Sequence, residues 1–275
     1  MKDNYKFLGR RRGLVDEIKR KGITDRLVLD SFLLTPRHCF VDSGLEEHAY
    51  IDNALPIIED QTISQPFTVA FQTQLLCLAK KQKILEIGTG SGYQSAILYN
   101  IGVDVYTIER NHKLFRKTSE LFNKLNIKPK RFKYGDGYKG LPEDSPFDGI
   151  IVTAGAPEIP NELLKQLKVG GRLVIPIGNK SQIMLRITKQ SNTKYKKEKL
   201  IFTPKTLNVF SNNNRKLKNL SKLLNLLKSI NFCKDLVSEP ANILNPVTYA
   251  EKCLPLKKLG LKMKILNLKQ LEKIS

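Results

Sequence analysis

An apolar run that leads into three closely spaced glycines constrains the fold of this chain more than any other feature. Residues 83–87 have a strand pattern, Gly88, Gly90 and Gly92 follow at once, and residues 93–99 have a helical pattern. Glycines at such a junction allow a tight turn and let the backbone lie directly against a ligand. The strand, glycine loop and helix together predict the nucleotide-binding edge of a parallel α/β sheet.

Strand and helix patterns continue to alternate after this loop. The predicted strands cover 103–108, 131–134, 147–152 and 172–177, and the predicted helices cover 114–125 and 161–167. This alternation is typical of a mostly parallel sheet with helices on both faces. Two last strands, at 183–187 and 200–202, are expected to form a hairpin across a lysine-rich turn at 194–199.

The segment before the glycine loop has two parts. Residues 14–34 predict two short amphipathic helices, the second capped by Thr24 or Asp25. Residues 37–65 show no sustained periodicity and contain several acids, so we expect an irregular but structured stretch. Long irregular stretches inside a compact domain are often functional.

The composition is that of a soluble globular protein with a sizeable core. The chain has 275 residues, of which 41% are hydrophobic and 27% charged, which argues against disorder throughout. No apolar run approaches the ~18 residues of a membrane span, and the charged first residues do not resemble a signal peptide. We expect a cytoplasmic protein with reduced thiols and no metal site, because its cysteines are widely scattered: Cys39, Cys77, Cys233 and Cys253.

Basic residues are concentrated in the last quarter of the chain. The net charge is +21, and residues 211–275 hold 13 Lys and Arg against four Asp and Glu. After an asparagine run at 212–214, leucines follow a helical spacing with lysines on the other face. We therefore expect a domain at 1–210 and a basic extension at 211–275. The extension is open to disorder or to docking on the domain, on nucleic acid or on a membrane surface, and no function is assigned to it.

An acid at the end of the next strand indicates the kind of ligand. Glu109 follows Gly88 by 21 residues, a position where a carboxylate accepts hydrogen bonds from both ribose hydroxyls. The dinucleotide fingerprint needs its third glycine where this chain has Tyr93, so NAD is disfavoured. S-adenosylmethionine, a nucleoside without phosphates, suits this unit better. The alternative for Glu109 is a surface acid paired with Arg110 or Arg116.

A second acid follows the strand predicted at 131–134. In a doubly wound sheet, the run Gly135-Asp136-Gly137 lies at the same edge as the glycine loop. The carboxylate of Asp136 is therefore placed to accept a hydrogen bond from an adenine amino group. The alternative is an Asp-Gly turn with no ligand.

Several blocks of the chain, in unchanged order, resemble the protein-L-isoaspartate O-methyltransferase family between about residues 14 and 210. The glycine loop is shared with many methyltransferases, whereas the block at 61–66 is specific to this family. The other blocks lie on both sides of the loop. In order they are TPRHCFV at 35–41, ALPI at 54–57, QTISQP at 61–66, VYTIER at 105–110, GDG at 135–137, FDGIIVTAGA at 147–156 and GGRLVIPIG at 170–178.

The resemblance implies a Rossmann-like methyltransferase fold with a mostly parallel, seven-stranded sheet. The N-terminal helices and substrate loop would occupy 1–80 and the cofactor-binding core 81–210. It implies methyl transfer from S-adenosylmethionine to the α-carboxylate of L-isoaspartyl residues in damaged proteins or peptides, whose esters then cyclise to succinimides, and we expect a monomer. The implied catalytic residue is Ser64, and the cofactor contacts are Thr62, Ile63, Gly88, Thr89, Gly90, Glu109, Arg110, Asp136 and Gly137.

This reaction needs little catalytic machinery. A carboxylate with a pKa of about 3.5 is already ionised at neutral pH, so no general base is required. Ser64 is expected to donate a hydrogen bond that orients the substrate carboxylate. The alternative is that Ser64 only acts as N-cap of the following helix, which has Pro66 in its first turn.

Two other functions remain open at this point. One is a methyltransferase that acts on RNA or a small molecule and is anchored by the basic extension, and the block at 61–66 argues against it. The other is a non-catalytic module that binds the cofactor or nucleic acid. Gln74 is a departure from the family, because bacterial relatives often have Glu there, and its effect on packing or pocket charge is left open.

Overall fold

The computed structural model of the chain describes residues 4–178 and 182–200, so the extension at 211–275 and part of the strand predicted at 200–202 lie outside the described residues. The helices are α1 Tyr5–Arg20, α2 Arg26–Leu34, α3 Pro66–Leu76, α4 Tyr93–Ile101, α5 His112–Leu125 and α6 Asn161–Lys165. The strands are β1 Leu55–Ile57, β2 Gln61–Ile63, β3 Lys83–Ile87, β4 Asp104–Glu109, β5 Arg131–Tyr134, β6 Phe147–Val152, β7 Leu167–Ile177, β8 Ile183–Lys189 and β9 Tyr195–Leu200. Among the described helices, none combines the length and the apolar character that a membrane crossing requires.

Seven strands form one sheet in the order β5-β4-β3-β6-β7-β8-β9. Neighbouring strands from β5 to β7 are parallel, and β8 and β9 add an antiparallel hairpin. The predicted Rossmann-like α/β fold is therefore confirmed. The lysine-rich turn predicted at 194–199 is wrong, because residues 195–200 form β9, whose Lys197 pairs with Ile187 of β8.

The two faces of this sheet pack against different apolar clusters. Successive residues of a strand point to opposite faces, and accordingly Ile84 belongs to a cluster shared with α1–α4, whereas Leu85 belongs to one shared with α6. The same alternation holds for Ile151 and Ile150 on β6. Full burial on both faces explains why these central strands read as continuous apolar runs.

The helix ends explain two predictions about capping. Asp25 caps α2 by accepting hydrogen bonds from the backbone N–H groups of Leu27 and Val28, as one of the two candidates predicted. The prediction that Ser64 is the N-cap of α3 is wrong, because Pro66 is the first helical residue and Gln65 takes the cap position without a side-chain bond. The first free N–H of α3, that of Phe67, instead donates to the side chain of Asp52.

The irregular stretch at 37–65 contains a short hairpin. Strand β1 pairs antiparallel with β2, so that Leu55 lies opposite Ile63. Glu59 and Asp60 form its tip with positive φ angles of 61° and 51°, a backbone conformation that side chains with a Cβ rarely adopt. The hairpin delivers residues 61–65 to the beginning of α3, next to the sheet.

Candidate active site

A cavity of about 980 Å³ lies where the parallel strands end, and every site residue predicted from the sequence lines it. Strands β3, β4 and β5 reach this edge side by side, which is where ligands bind in open α/β sheets. The hairpin and the start of α3 form another wall of the same cavity. The predicted residues that line the cavity are Thr62, Ile63, Ser64, Gly88, Thr89, Gly90, Glu109, Arg110, Asp136 and Gly137.

The glycine loop turns tightly at the end of β3. Gly88, Gly90 and Gly92 all have positive φ angles, of 92°, 53° and 85°. A Cβ on Gly88 would lie 2.8 Å from the Thr153 hydroxyl oxygen, whereas at Gly90 the space is open. The loop therefore presents bare backbone to the cavity, as expected for a surface that a ligand approaches closely.

Glu109 holds the loop through its carboxylate. One oxygen accepts a hydrogen bond from the backbone N–H of Gly90 and the other from that of Asn111, both at 2.8 Å. An ionised carboxylate has about four acceptor positions, so two remain for ligand hydroxyls. In the part of the chain that the structure describes, neither Arg110 nor Arg116 pairs with Glu109, and the surface ion-pair alternative is wrong there.

Asp136 lies in a turn at the edge of the cavity. Its carboxylate accepts a hydrogen bond from the backbone N–H of Tyr138 at 3.0 Å, which caps a short turn, and the residue also lines the cavity from an exposed position. The neighbouring Gly137 is packed so closely that a Cβ there would overlap the Ile87 side chain. The backbone of this turn thus lies directly against the end of β3.

Ser64 lines the cavity from the wall formed by the hairpin and α3, and it is half-buried. Its hydroxyl makes no hydrogen bond to any residue in 4–178 or 182–200, whereas its carbonyl oxygen accepts one from Arg37 at 3.0 Å. The backbone is therefore fixed while the hydroxyl is left for a ligand. Thr62 is exposed and Ile63 is buried at the end of the same strand.

Several polar groups that support these walls are not among the residues predicted from the sequence. Thr153, the residue after β6, donates to the carbonyl oxygen of Gly88 at 2.5 Å. Its place at the end of a parallel strand is a signal that could have found it. Thr89 and Thr107 hydrogen-bond each other at 2.6 Å beneath the loop.

A carboxylate outside the loop supports the wall that carries Ser64. Asp52 is buried and accepts hydrogen bonds from the backbone N–H of Phe67 at 2.7 Å, the Gln65 amide at 3.1 Å and the Lys21 ammonium at 2.5 Å. Since proline has no N–H, Phe67 carries the first free donor of α3, and Asp52 satisfies it. Nothing in the local pattern around Asp52 indicates this role.

Glu86 on β3 is fully buried behind the cavity wall. Its carboxyl accepts a hydrogen bond from the Ser95 hydroxyl on α4. Burial raises the pKa of Glu86 to about 8; the hydroxyls of Ser95 and Thr107 partly offset this, and the nearby charge of Glu109 adds to it. The Glu86 carboxyl is accordingly protonated at neutral pH, and it contributes no second charge beside Glu109.

The chain is similar over most of its described length to one family of methyltransferases. The sequence model of the protein-L-isoaspartate(D-aspartate) O-methyltransferase family matches residues 9–209. A protein-L-isoaspartate O-methyltransferase from Flavobacterium johnsoniae is 58% identical over 197 residues, which are 72% of this chain and 92% of that protein. Another, from Christiangramia forsetii, is 55% identical over 197 residues, with the same coverage.

Two solved structures agree with this similarity. One protein-L-isoaspartate O-methyltransferase has a TM-score of 0.61 and 33% identity, over 66% of this chain and 60% of that one. A Plasmodium falciparum structure described as a protein-L-isoaspartate O-methyltransferase, with S-adenosyl-L-homocysteine bound, has a TM-score of 0.60 and 26% identity, over 69% of this chain and 94% of that one. Within the described residues, no group of His, Cys, Asp or Glu is arranged to hold a metal ion.

Proposed function

The chain belongs to the protein-L-isoaspartate(D-aspartate) O-methyltransferase family, and from this premise we propose how its cavity carries out the reaction. The enzyme methylates the α-carboxylate of L-isoaspartyl residues in proteins and peptides, with S-adenosylmethionine as the donor, and so initiates their repair. The observation that supports our assignment of roles is that the glycine loop and Ser64 line the same cavity.

The residues at the strand ends suit the nucleoside part of the donor. Glu109 keeps two acceptor positions for the ribose hydroxyls, and Asp136 offers an acceptor for the adenine amino group. Gly88 and Gly90 leave room for the rest of the molecule along the loop. S-adenosylmethionine, when bound, supplies an electrophilic methyl group on a sulfonium. Thr62, Ile63, Thr89, Arg110 and Gly137 complete the proposed contacts.

Ser64 acts on the acceptor. Its hydroxyl donates a hydrogen bond to the substrate carboxylate and so holds one oxygen in the direction of the donor. The carboxylate is ionised at neutral pH, so no residue has to remove a proton. The apolar side chains of Ile63 and Val69 exclude water from this wall, and a site poor in water strengthens the electrostatic interactions within it.

The substitution Ser64→Ala tests this role. A hydrogen bond to a charged group contributes about 1.5–3 kcal/mol, so we expect kcat for an isoaspartyl peptide to fall by about 10- to 100-fold. The dissociation constant of S-adenosylhomocysteine, measured by calorimetry, should change by less than about twofold, because Ser64 does not hold the nucleoside. Ser64→Thr keeps a hydroxyl and serves as the matched control, with most activity retained. A wild-type rate in Ser64→Ala would reject the role.

The reaction itself is tested with matched peptides. The wild-type enzyme is incubated with labelled S-adenosylmethionine and with peptides that contain either L-isoaspartate or L-aspartate at one position. Base-labile methyl esters are then counted. Label in the isoaspartyl peptide alone is the expected result, and equal label in both peptides would contradict the substrate assignment.

We also propose a division into a methyltransferase domain at 1–210 and a separate extension at 211–275. The end of the family match at residue 209 supports this boundary. The wide scatter of the cysteines along the sequence supports a reducing, cytoplasmic location. The proposal includes a monomeric enzyme, and light scattering of the full chain tests this. Contact of the extension with nucleic acid would appear as salt-sensitive binding that a chain ending at residue 210 lacks.

A further inference from the structure

The guanidinium of a buried arginine contacts residues from both walls of the cavity. Arg37 is 0% exposed, and its guanidinium donates to the carbonyl oxygen of Ser64 at 3.0 Å and to that of Asn53 at 3.2 Å. The same group lies over the ring of Tyr93, 4.9 Å from its centroid. Tyr93 is the first residue of α4 and directly follows the glycine loop. Arg37 thus contacts both the wall that carries Ser64, which we call the substrate wall, and the wall that carries the glycine loop, which we call the cofactor wall.

Burial of the Arg37 guanidinium destabilises the fold unless other groups compensate for it. An arginine stays charged in a protein, and a buried charge is destabilising unless it is paired. Among the described residues no carboxylate is within ion-pair distance of Arg37, and its Nε has no hydrogen-bond partner. Two carbonyl oxygens, the Tyr93 side chain and the nearby charge of Asp52 compensate for its burial. A planar guanidinium directs its donors along fixed lines and so suits several such partners.

Asp52 fixes the residues that follow Ser64. It holds the Gln65 amide and the N–H of Phe67, while Arg37 holds the carbonyl oxygen of Ser64 itself. The chain is thereby held directly after the Ser64 side chain, at the Ser64 carbonyl group and at the two residues named. This fixes the position of the Ser64 Cα–Cβ bond, from which the hydroxyl reaches its staggered rotamers.

We infer that Arg37 is a positioning residue for methyl transfer, which fixes the Ser64 hydroxyl relative to the glycine loop by joining Ser64 to Tyr93. Arg37 does not line the cavity, so it acts through Ser64 and does not touch the reacting groups. The inference rests on the role proposed for Ser64 above. Displacing a positioning group by about 1 Å can lower a rate by about 100-fold, which makes the effect measurable.

The experiment compares two buried arginines in the full-length enzyme. Arg37→Lys keeps the charge but loses the two-directional donor geometry. Arg11→Lys is the matched control, because Arg11 is also buried and donates to the Leu33 carbonyl oxygen at 2.9 Å and to the Tyr50 hydroxyl at 3.3 Å. For each variant, kcat with an isoaspartyl peptide, the dissociation constant of S-adenosylhomocysteine and the thermal unfolding midpoint are measured.

We expect Arg37→Lys to lower kcat by about 10- to 100-fold with less than a threefold change in S-adenosylhomocysteine affinity. Arg11→Lys should lower the unfolding midpoint and leave kcat within about twofold. In a Ser64→Ala background, Arg37→Lys should add less than about twofold, because interacting residues are not additive. Methyl transfer by the wild type is measured first, so that failure of the reaction is distinguished from failure of the inference.

Four results would overturn the inference. The first is a kcat within twofold of wild type in Arg37→Lys, and the second is an equal loss in Arg11→Lys. The third is a full additional loss in the Ser64→Ala background. The fourth is loss of folding in both Arg37→Lys and Arg37→Gln, because Arg37 would then be a structural residue of the core.

Discussion

The two walls of the cavity are held in different ways. The cofactor wall consists of neighbouring strand ends, and the Glu109 carboxylate at the end of β4 holds its glycine loop by accepting a hydrogen bond from the N–H of Gly90. The substrate wall contains a short irregular segment between the end of β2 at Ile63 and the start of α3. The side chains of Asp52 and Arg37 hold this segment. The first wall is fixed by backbone geometry and the second by buried polar contacts. Ligand affinity and catalytic rate should therefore respond to different substitutions.

The largest expected effect tests the substrate wall. Asp52→Ala removes the acceptor of three donors, which include the backbone N–H of Phe67 and the Lys21 ammonium. Loss of one partner from a buried polar cluster costs about 3 kcal/mol, so denaturant unfolding should show a decrease of this size. Glu17→Ala is the control, because its ion pair with Lys21 is partly exposed and should contribute less than about 1 kcal/mol. Equal decreases in the free energy of unfolding for the two substitutions would show that the hydrogen bonds to Asp52 do not stabilise this wall.

The next effect tests the cofactor wall. Glu109→Gln replaces one acceptor by a donor that opposes a backbone N–H of Gly90 or Asn111. We expect the dissociation constant of S-adenosylhomocysteine to rise by about 100-fold, which corresponds to about 2.7 kcal/mol. Asp104→Asn, at the other end of β4, is the matched control with unchanged affinity. Unchanged affinity in Glu109→Gln would mean that the strand ends do not hold the nucleoside.

A smaller effect concerns pH and the core behind the cofactor wall. The pKa of Glu86 is about 8, against an ordinary value of 4.5. Between these values the folded protein keeps a proton that the unfolded chain loses, so the stability from Glu86 is complete below pH 4.5 and falls as pH rises toward 8. The slope is at most about 1.4 kcal/mol per pH unit. Glu86→Gln keeps an acceptor for Ser95 and should remove this slope, which urea unfolding between pH 5 and 8 measures. Parallel curves for the two proteins would contradict it.

The smallest effect is expected at Gln74. Its side-chain oxygen accepts hydrogen bonds from the backbone N–H groups of Thr24 and Asp25, at 2.7 and 2.9 Å, where α2 begins. Gln74 does not line the cavity. A glutamate would accept the same bonds, so Gln74→Glu should change stability by less than about 1 kcal/mol and leave S-adenosylhomocysteine affinity unchanged. A clear change in affinity would show that the residue influences the pocket.

The same difference between the walls decides what the sequence predicts. The glycine loop, Glu109 and Asp136 could be placed because each directly follows an apolar strand, and parallel strand ends meet at one edge. Arg37 and Asp52 could not, because their partners Ser64 and Phe67 lie 27 and 15 residues away. No periodicity encodes such contacts. Capping by Ser64 failed as a prediction for the same reason, because the acceptor comes from outside the local sequence.

Strand β9 shows another limit of pattern reading. Its residues alternate little in hydropathy, and lysines occupy half of it, so residues 195–200 resemble a solvated turn. Their strand conformation follows from pairing with β8, which an apolar pattern does not report. Charged residues are common on outer strands because they discourage pairing with other chains.

The tip of the β1–β2 hairpin gives the enzyme a sensitivity to its ionic surroundings. Glu59 accepts hydrogen bonds from the Lys113 ammonium at 2.8 Å and the Asn111 amide at 3.2 Å, and so ties the hairpin to the first turn of α5. Lys113 is 73% exposed, and dissolved salt screens exposed pairs far more than buried ones. We therefore expect concentrated potassium chloride to weaken the contact between the hairpin and α5 more than the buried hydrogen bonds of Glu109.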